Sequence, residues 1–397
     1  MKVENDCVQL KNNSFVIGTN VPKQEENAPK RQKAECFEIM HMERIVARIR
    51  MNGIAQILDE KFMPYDLYFD TEDTGDIDIL VNNLNNFYHW CASRVLSLDR
   101  KYAKEILNSI GVAQAVTDRD RANISLSYHG VSLTDVYWVR RYGENISFAD
   151  INLYDHHLNE AIVEISLKGK QMTVTNQELA PDLSTKGCFP KAWIREKDGF
   201  CLLKDGGEEA VRKELLASAI CQCFDVKQVK YSEYWYDGER VTQSSIITSK
   251  EFSMVSKMAF DIYACNHDLD TLEVCKRIDP DTYYGMNILD YLTGNTDRHP
   301  ENWGFLVDNS TNEYVSLYPL MDFNQCFLAY DNLDGARCQT VLPRKMSQRE
   351  AAIEAVRNIG LRQMQKMDMR KFDGMEKEGE MFQVRLAELK KYEKRSE

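Results

Sequence analysis

The feature that most constrains this chain is the order and spacing of three polar residues. In Asp290 to Phe305, DYLTGNTDRHPENWGF, Asp297 is followed by Asn302 after four intervening residues. Asp322 follows the apolar run Tyr318-Pro319-Leu320-Met321, inside LMDFNQCF. The chain thus sets down an acid, an amide and an acid in a short span.

Phosphoryl transfer needs little covalent help and a great deal of positioning. One carboxylate orients the attacking hydroxyl, while a second carboxylate and an amide oxygen hold the magnesium at the ATP phosphates. Magnesium takes oxygen ligands, so Asn302 and Asp322 are suitable donors, and Asp297 remains to act as base. The D-x4-N spacing is that of a protein-kinase catalytic loop. These residues can also cap turns, as Asp and Asn often do, and only their joint occurrence with an upstream lysine outweighs that reading.

At 397 residues, 43% of them apolar, the chain is expected to form two or three domains or one bilobal unit with an added module. A formal charge of −12 argues against general binding to nucleic acid or anionic membrane. Of the eleven cysteines, the closest pair is Cys221 and Cys223, inside a helical pattern and without zinc-like spacing, which points to reduced, buried thiols. The opening MKVENDCVQLKNN lacks the flank and core of a signal peptide, and a cytoplasmic location is expected.

Residues 1–35 read as a flexible polar arm and 36–175 as an accessory α+β module. In the module, Phe37 to Ile49 predicts a β-hairpin, and Leu84 to Trp90 and Ser97 to Ile110 predict helices, the second capped by Ser97 and stopped by Gly111. Ile124 to Val139 mixes β-branched and aromatic residues. His156 and His157 are adjacent, so their side chains diverge, and a surface or capping role is favoured over a metal site.

Residues 176–249 read as a small β-rich lobe. The loop LSTKGCFP, Leu183 to Pro190, can lay backbone N–H groups over phosphate, although Gly187 stands alone without a glycine-rich motif. KAWIRE and FCLLK form a hairpin, and Lys204 ends its second strand. A strand-borne lysine that reaches phosphate needs a carboxylate on the next helix, and Glu214, beside the Val211, Leu215, Ser218 stripe of the helix Glu208 to Phe224, is that carboxylate. A second hairpin turns at Asp237-Gly238, and Ile247 and Thr248 lie where backbone groups of a hinge would face adenine. From Ile246 to Ser249 the chain passes into KEFSMVSKMAF, read as helical, opening a large lobe over 250–397. Helices are expected from Ser347 to Ile359 and from Arg370 to Glu393, with Met364, Met367 and Met369 packing against the lobe. The fold class is α+β: a bilobal protein-kinase-like fold with an N-terminal accessory module.

These residues resemble the HipA-like serine/threonine kinases. GNTDRHPENWGF is similar to that family's N-x-D-x-H-x-x-N loop, LYPLMDFN to its metal-binding segment, and LSTKGCFPKAW, FCLLK and the Glu214 helix follow its order of parts. The resemblance, over residues 36–345, implies Asp297 as catalytic base, Asn302 and Asp322 as magnesium ligands, Lys204 as the ATP contact, and His299 as the residue that orders the loop. It also implies that Ser184 or Thr185 can be autophosphorylated, that an antitoxin-like regulator acts as partner, and that the substrate is a translation-related protein. Asp322-Phe323-Asn324 departs from the ordinary D-F-G by lacking its glycine. Asp297-Arg298-His299 and Asn302 also fit the D-R-H-x-x-N of phosphoinositide-type kinases, although no polybasic stretch offers membrane docking. A nucleotide-binding pseudokinase scaffold is the third alternative.

Overall fold

The computed structural model describes residues 35–72, 75–109, 117–155, 160–169, 188–197, 199–327 and 332–393. Ser184, Thr185 and Gly187, the paired histidines at 156 and 157, and Gly111 lie outside them. The fold is mixed α+β, with three sheets among these residues, all antiparallel.

The first sheet has the order β3-β2-β1-β4. β1 (Cys36–His41) and β2 (Arg44–Arg50) form the expected hairpin, with β3 (Ala55–Ile57) and β4 (Tyr137–Arg141) at the edges. Both faces are covered, and alternation along the strands sorts the side chains. Ile39, Tyr137 and Val139 pack with Phe87 and Trp90 of α1 (Ile77–Ser93), whereas Met40 and Trp138 pack with Ile106 of α2 (Ala103–Ser109). α3 (Asp118–Ser127), α4 (Phe148–Ile151) and α5 (Glu160–Lys168) complete the layers. The helix expected from Ser97 starts only at Ala103, because Tyr102 sits at φ +68°, where a right-handed helix cannot continue. Ile124, read among β-branched residues, is helical, since Thr117 and Asp120 form a capping box that starts α3.

The second sheet has the order β5-β6-β8-β7, from β5 (Lys191–Glu196), β6 (Gly199–Lys204), β7 (Tyr231–Tyr236) and β8 (Glu239–Ser245). Its register sets Lys191 opposite Lys204 and Lys204 opposite Thr242, so these three side chains share one face. α6 (Glu208–Cys221) crosses that face. It buries Leu216 rather than the expected Leu215, together with Val211, Glu214 and Ser218.

The third sheet, β11-β10-β9, opens the helical part. Its first strand is a correction to the helical reading: Phe252–Ser256 is β9, paired with β10 (Gly304–Asp308), which pairs with β11 (Glu313–Leu317). The Ser256 side chain accepts the Ala259 N–H and starts α7 (Lys257–Asn266) only there. α8 (Thr271–Ile278) and α9 (Pro280–Thr293) follow, and α9 is the central helix of the largest core, buried from Gly285 to Thr293. α10 (Gln348–Ile359) has Ser347 as N-cap and ends at Gly360, as expected. A short 3-10 turn, Met369–Phe372, precedes α11 (Glu376–Lys390). Of the three methionines expected in this core, only Met367 is buried, its sulfur near Cys223 Sγ, while Met364 is 63% exposed and Met369 37%.

The N-terminal module touches all the parts that follow it. Tyr65 enters the large core, and its hydroxyl donates to Asn312 O at 2.8 Å. Asn312 Nδ2 donates to Lys61 O and Met63 O. Thr248 Oγ1 donates to Leu133 O, Lys101 N–H donates to Cys188 O, and Arg100 Nη2 donates to Lys191 O. No described helix is long and apolar enough to cross a membrane.

Candidate active site

The upstream half of the site is a buried charge cluster. Lys204, at the end of β6, places Nζ 3.2 Å from Glu214 Oε1 and 2.5 Å from Asp322 Oδ1. The other Glu214 oxygen accepts the Thr242 hydroxyl at 2.6 Å, so both oxygens of a buried carboxylate are used. Burial opposes the charge on Lys204, but Asp322 and then Glu214 outweigh it and raise the ammonium above its usual range. For Asp322, burial pushes upward, yet the charges of Lys204 and Lys191, with help from Arg298, hold the carboxyl down at about 2. Asp322 sits at φ +57° and donates its N–H to the Tyr231 hydroxyl at 2.9 Å, which fixes its backbone against β7.

The downstream half is the loop after α9. Gly294, at φ +61°, ends the helix in the left-handed conformation that glycine adopts freely. Asp290, one turn earlier, then organises the loop. It accepts Asn295 Nδ2 at 2.9 Å and takes a two-pronged bond from Arg298, Nε at 3.0 Å and Nη2 at 2.9 Å. Arg298 Nη1 reaches two carbonyls, Asn302 O at 2.9 Å and Met321 O at 2.5 Å. One guanidinium thus joins helix, loop and the segment that bears Asp322.

Asn302 Nδ2 donates to Asp297 O at 2.8 Å, which leaves its amide oxygen for another donor or a cation. His299 Nδ1 accepts the Glu301 N–H, so a neutral ring carries its proton on Nε2, 3.9 Å from Asp297 Oδ1. Asp297 and His299 side chains are each 40% exposed. Burial raises the Asp297 carboxyl above the usual range. His299 pulls it down, Asp322 adds to the rise, and Arg298 and Lys204 oppose it.

Lys204, Glu214 and Asp322 are therefore in direct contact, and Asp297, His299 and Asn302 share one loop whose acid feels the charge of Asp322. Ile247 and Thr248 lie between the Ile246 N–H, bonded to Phe200 O, and the Ser249 N–H, bonded to Phe252 O. The Thr248 side chain is turned to the N-terminal module.

Three residues, Lys191, Thr242 and Tyr231, and one pairing, Asp290 with Arg298, escaped the sequence reading. The hairpin register alone could have revealed Lys191. It is buried, and burial followed by the charge of Lys204 lowers its ammonium to about 8.

No protein-family model matches the chain. A stretch of 60 residues is 40% identical to the serine/threonine-protein kinase CtkA of Helicobacter pylori, covering 15% of this chain and 18% of that protein. The match thus spans less than a fifth of the relative's length. Among solved structures, the chain is similar to the Helicobacter pylori proinflammatory kinase CtkA, with a TM-score of 0.38 and 17% identity over 51% of this chain and 90% of that one. It is also similar to Shewanella oneidensis HipA, solved with HipB and operator DNA, with a TM-score of 0.48 and 10% identity over 90% and 94% of the two chains. The sequence likeness is therefore to a serine/threonine-protein kinase, and the structural neighbours include CtkA and HipA.

Proposed function

We propose that this chain is an ATP- and magnesium-dependent protein serine/threonine kinase of HipA-like type. The observation that carries the reading is Lys204 Nζ held between Glu214 and Asp322, a buried cation that an anionic phosphate can engage. Asn302 Oδ1 and the Asp322 carboxylate are hard oxygen donors of the kind magnesium takes when phosphates and water supply its other ligands. Magnesium, when bound there, neutralises charge building up on the phosphates. Asp297 receives the proton of the substrate hydroxyl as that oxygen bonds to the γ-phosphorus and the bond to the ADP oxygen breaks. The raised carboxyl of Asp297 favours proton acceptance. His299 orders the loop, Lys204 and Lys191 supply positive charge to the phosphates, and Ile247 and Thr248 backbone groups face adenine.

Ser184 or Thr185 is the proposed autophosphorylation site, and the proposed location is cytoplasmic. The proposed partners are a translation-related protein substrate and an antitoxin-like regulator. The deciding measurement is intact mass after incubation with Mg-ATP. One added phosphate mapped to Ser184 or Thr185, absent in Asp297→Asn, is the expected result. ATP binding with no transfer to itself or to any lysate protein sinks the reading in favour of a scaffold, and labelled phosphate in lipid rather than protein makes it a lipid kinase.

A further inference from the structure

Two buried guanidinium groups in this fold are held by carboxylates. Arg94 takes both oxygens of Asp135, at 3.0 and 2.7 Å, and Arg298 takes both oxygens of Asp290. Arg385 on α11 is more deeply buried than either, at 1% exposure, and no carboxylate among the described residues pairs with it. Its Nη1 donates to Tyr291 O at 2.6 Å, and the guanidinium carbon lies 5.0 Å from the centroid of the Tyr291 ring. Nε and Nη2 have no hydrogen-bond partner among the described residues. In Arg298 these same two atoms form the fork that grips Asp290, so the edge of Arg385 left over is the one suited to two oxygens of a single group.

The surroundings carry partial charge of both signs, beginning with the negative C-terminal end of α9 at Tyr291 O. Two glycines in the left-handed region flank the guanidinium. A Cβ on Gly294 would lie 3.2 Å from Nη1, and one on Gly335 would lie 3.6 Å from Nη2 and 2.7 Å from Gln348 Oε1. Gln348 is the first residue of α10, whose N-terminal end carries partial positive charge. Glu388, three residues beyond Arg385, is engaged by Arg349 and Lys391, and Asp334, next to Gly335, by Arg349. A buried, charged donor pair without an acceptor costs free energy that a bound acceptor would return.

We infer that the Nε–Nη2 edge of Arg385, beside Gly335 and behind the loop that follows α9, is a receptor for a small oxyanion, a phosphate or a carboxylate. The site is separate from the Lys204 cluster and goes beyond the phosphoryl-transfer reading. Thermal unfolding of the full chain in rising inorganic phosphate, and separately in acetate at matched ionic strength, tests it. The variants are Arg385→Lys, which keeps a cation but not the fork, and Lys204→Met, which disables the proposed nucleotide site. A saturable rise in melting temperature with at least one of the two anions is expected in the wild type and in Lys204→Met. In Arg385→Lys the midpoint for that anion should move roughly tenfold or more to higher concentration. Response to phosphate alone identifies a phosphate receptor, and response to acetate identifies a carboxylate receptor. No saturable response to either anion, an unchanged midpoint in Arg385→Lys, or loss of the response in Lys204→Met overturns the inference. Since Lys204→Met also abolishes the proposed kinase chemistry, failure of one reading leaves the other standing.

Discussion

The two halves of the site are built to opposite specifications. Around Lys204 the carboxylates are paired and held: Glu214 is 2% exposed with both its oxygens taken, and Asp322, though 21% exposed, is fixed through backbone and side chain. Around Asp297 the acid and its histidine are 40% exposed, and their mutual contact is a loose 3.9 Å. The difference follows from what each half meets under the proposed function. A nucleotide always presents the same phosphates, so its cradle can be rigid, whereas the acceptor hydroxyl belongs to another macromolecule and needs an approach from solvent.

The comparison breaks first at Asp322, which takes part in both halves. Asp322→Asn is expected to reduce phosphoryl transfer by at least on the order of a thousandfold while cooperative unfolding is retained, read by ATP turnover and circular dichroism. Next comes Lys204→Met, which leaves Glu214 buried without its cation. A loss of roughly 3 kcal/mol in urea unfolding is expected, largely recovered when Glu214→Leu is added. If Lys204→Met costs nothing, the cluster is not the rigid half.

Asp297→Asn should do the reverse. Transfer drops on the order of a hundredfold, with stability within about 0.5 kcal/mol of wild type. Because the Asp297 carboxyl is raised, the acid limb of the rate profile should lie above the ordinary aspartate range and vanish in the variant. Asp322 gives the smaller pH effect, on stability without magnesium. Its carboxyl titrates near 2 in the fold against 3.8 when unfolded, so its contribution is complete above 3.8 and fades as pH falls through 2. That contribution is roughly 2 kcal/mol, and wild type and Asp322→Asn should converge in stability at the acid end. Smallest is His299→Ala, for which about a tenfold loss of rate is expected with unchanged nucleotide affinity.

The parts of the site that sequence made legible are those fixed by short spacing. Asp297 and Asn302 lie in one loop, and Lys204 and Glu214 are separated by one strand end and under two turns of helix. Asp290 and Arg298 were in plain view but unreadable as a pair, because the left-handed turn at Gly294 is what folds the loop back onto the helix. Lys191 needed the hairpin register, and Tyr231 needed to know which strand faces Asp322. In the fold, β9 was misread because FSMVS is too short to show a period, and its partner strand lies some fifty residues later. The helix expected from Ser97 failed on a single backbone angle at Tyr102, which no side-chain pattern announces.

The N-terminal module holds Lys191 through Arg100, the Thr248 side chain through Leu133, and the large core through Tyr65 and Asn312. A cleft whose walls are joined only by a hinge opens at little cost beyond that hinge. In the proposed bilobal reading a third body grips both walls and the proposed hinge, so widening the cleft means carrying the module along or parting one of its seams. Under the proposed function, nucleotide exchange then becomes a matter of how the module yields as well as of the groups that would touch the phosphates.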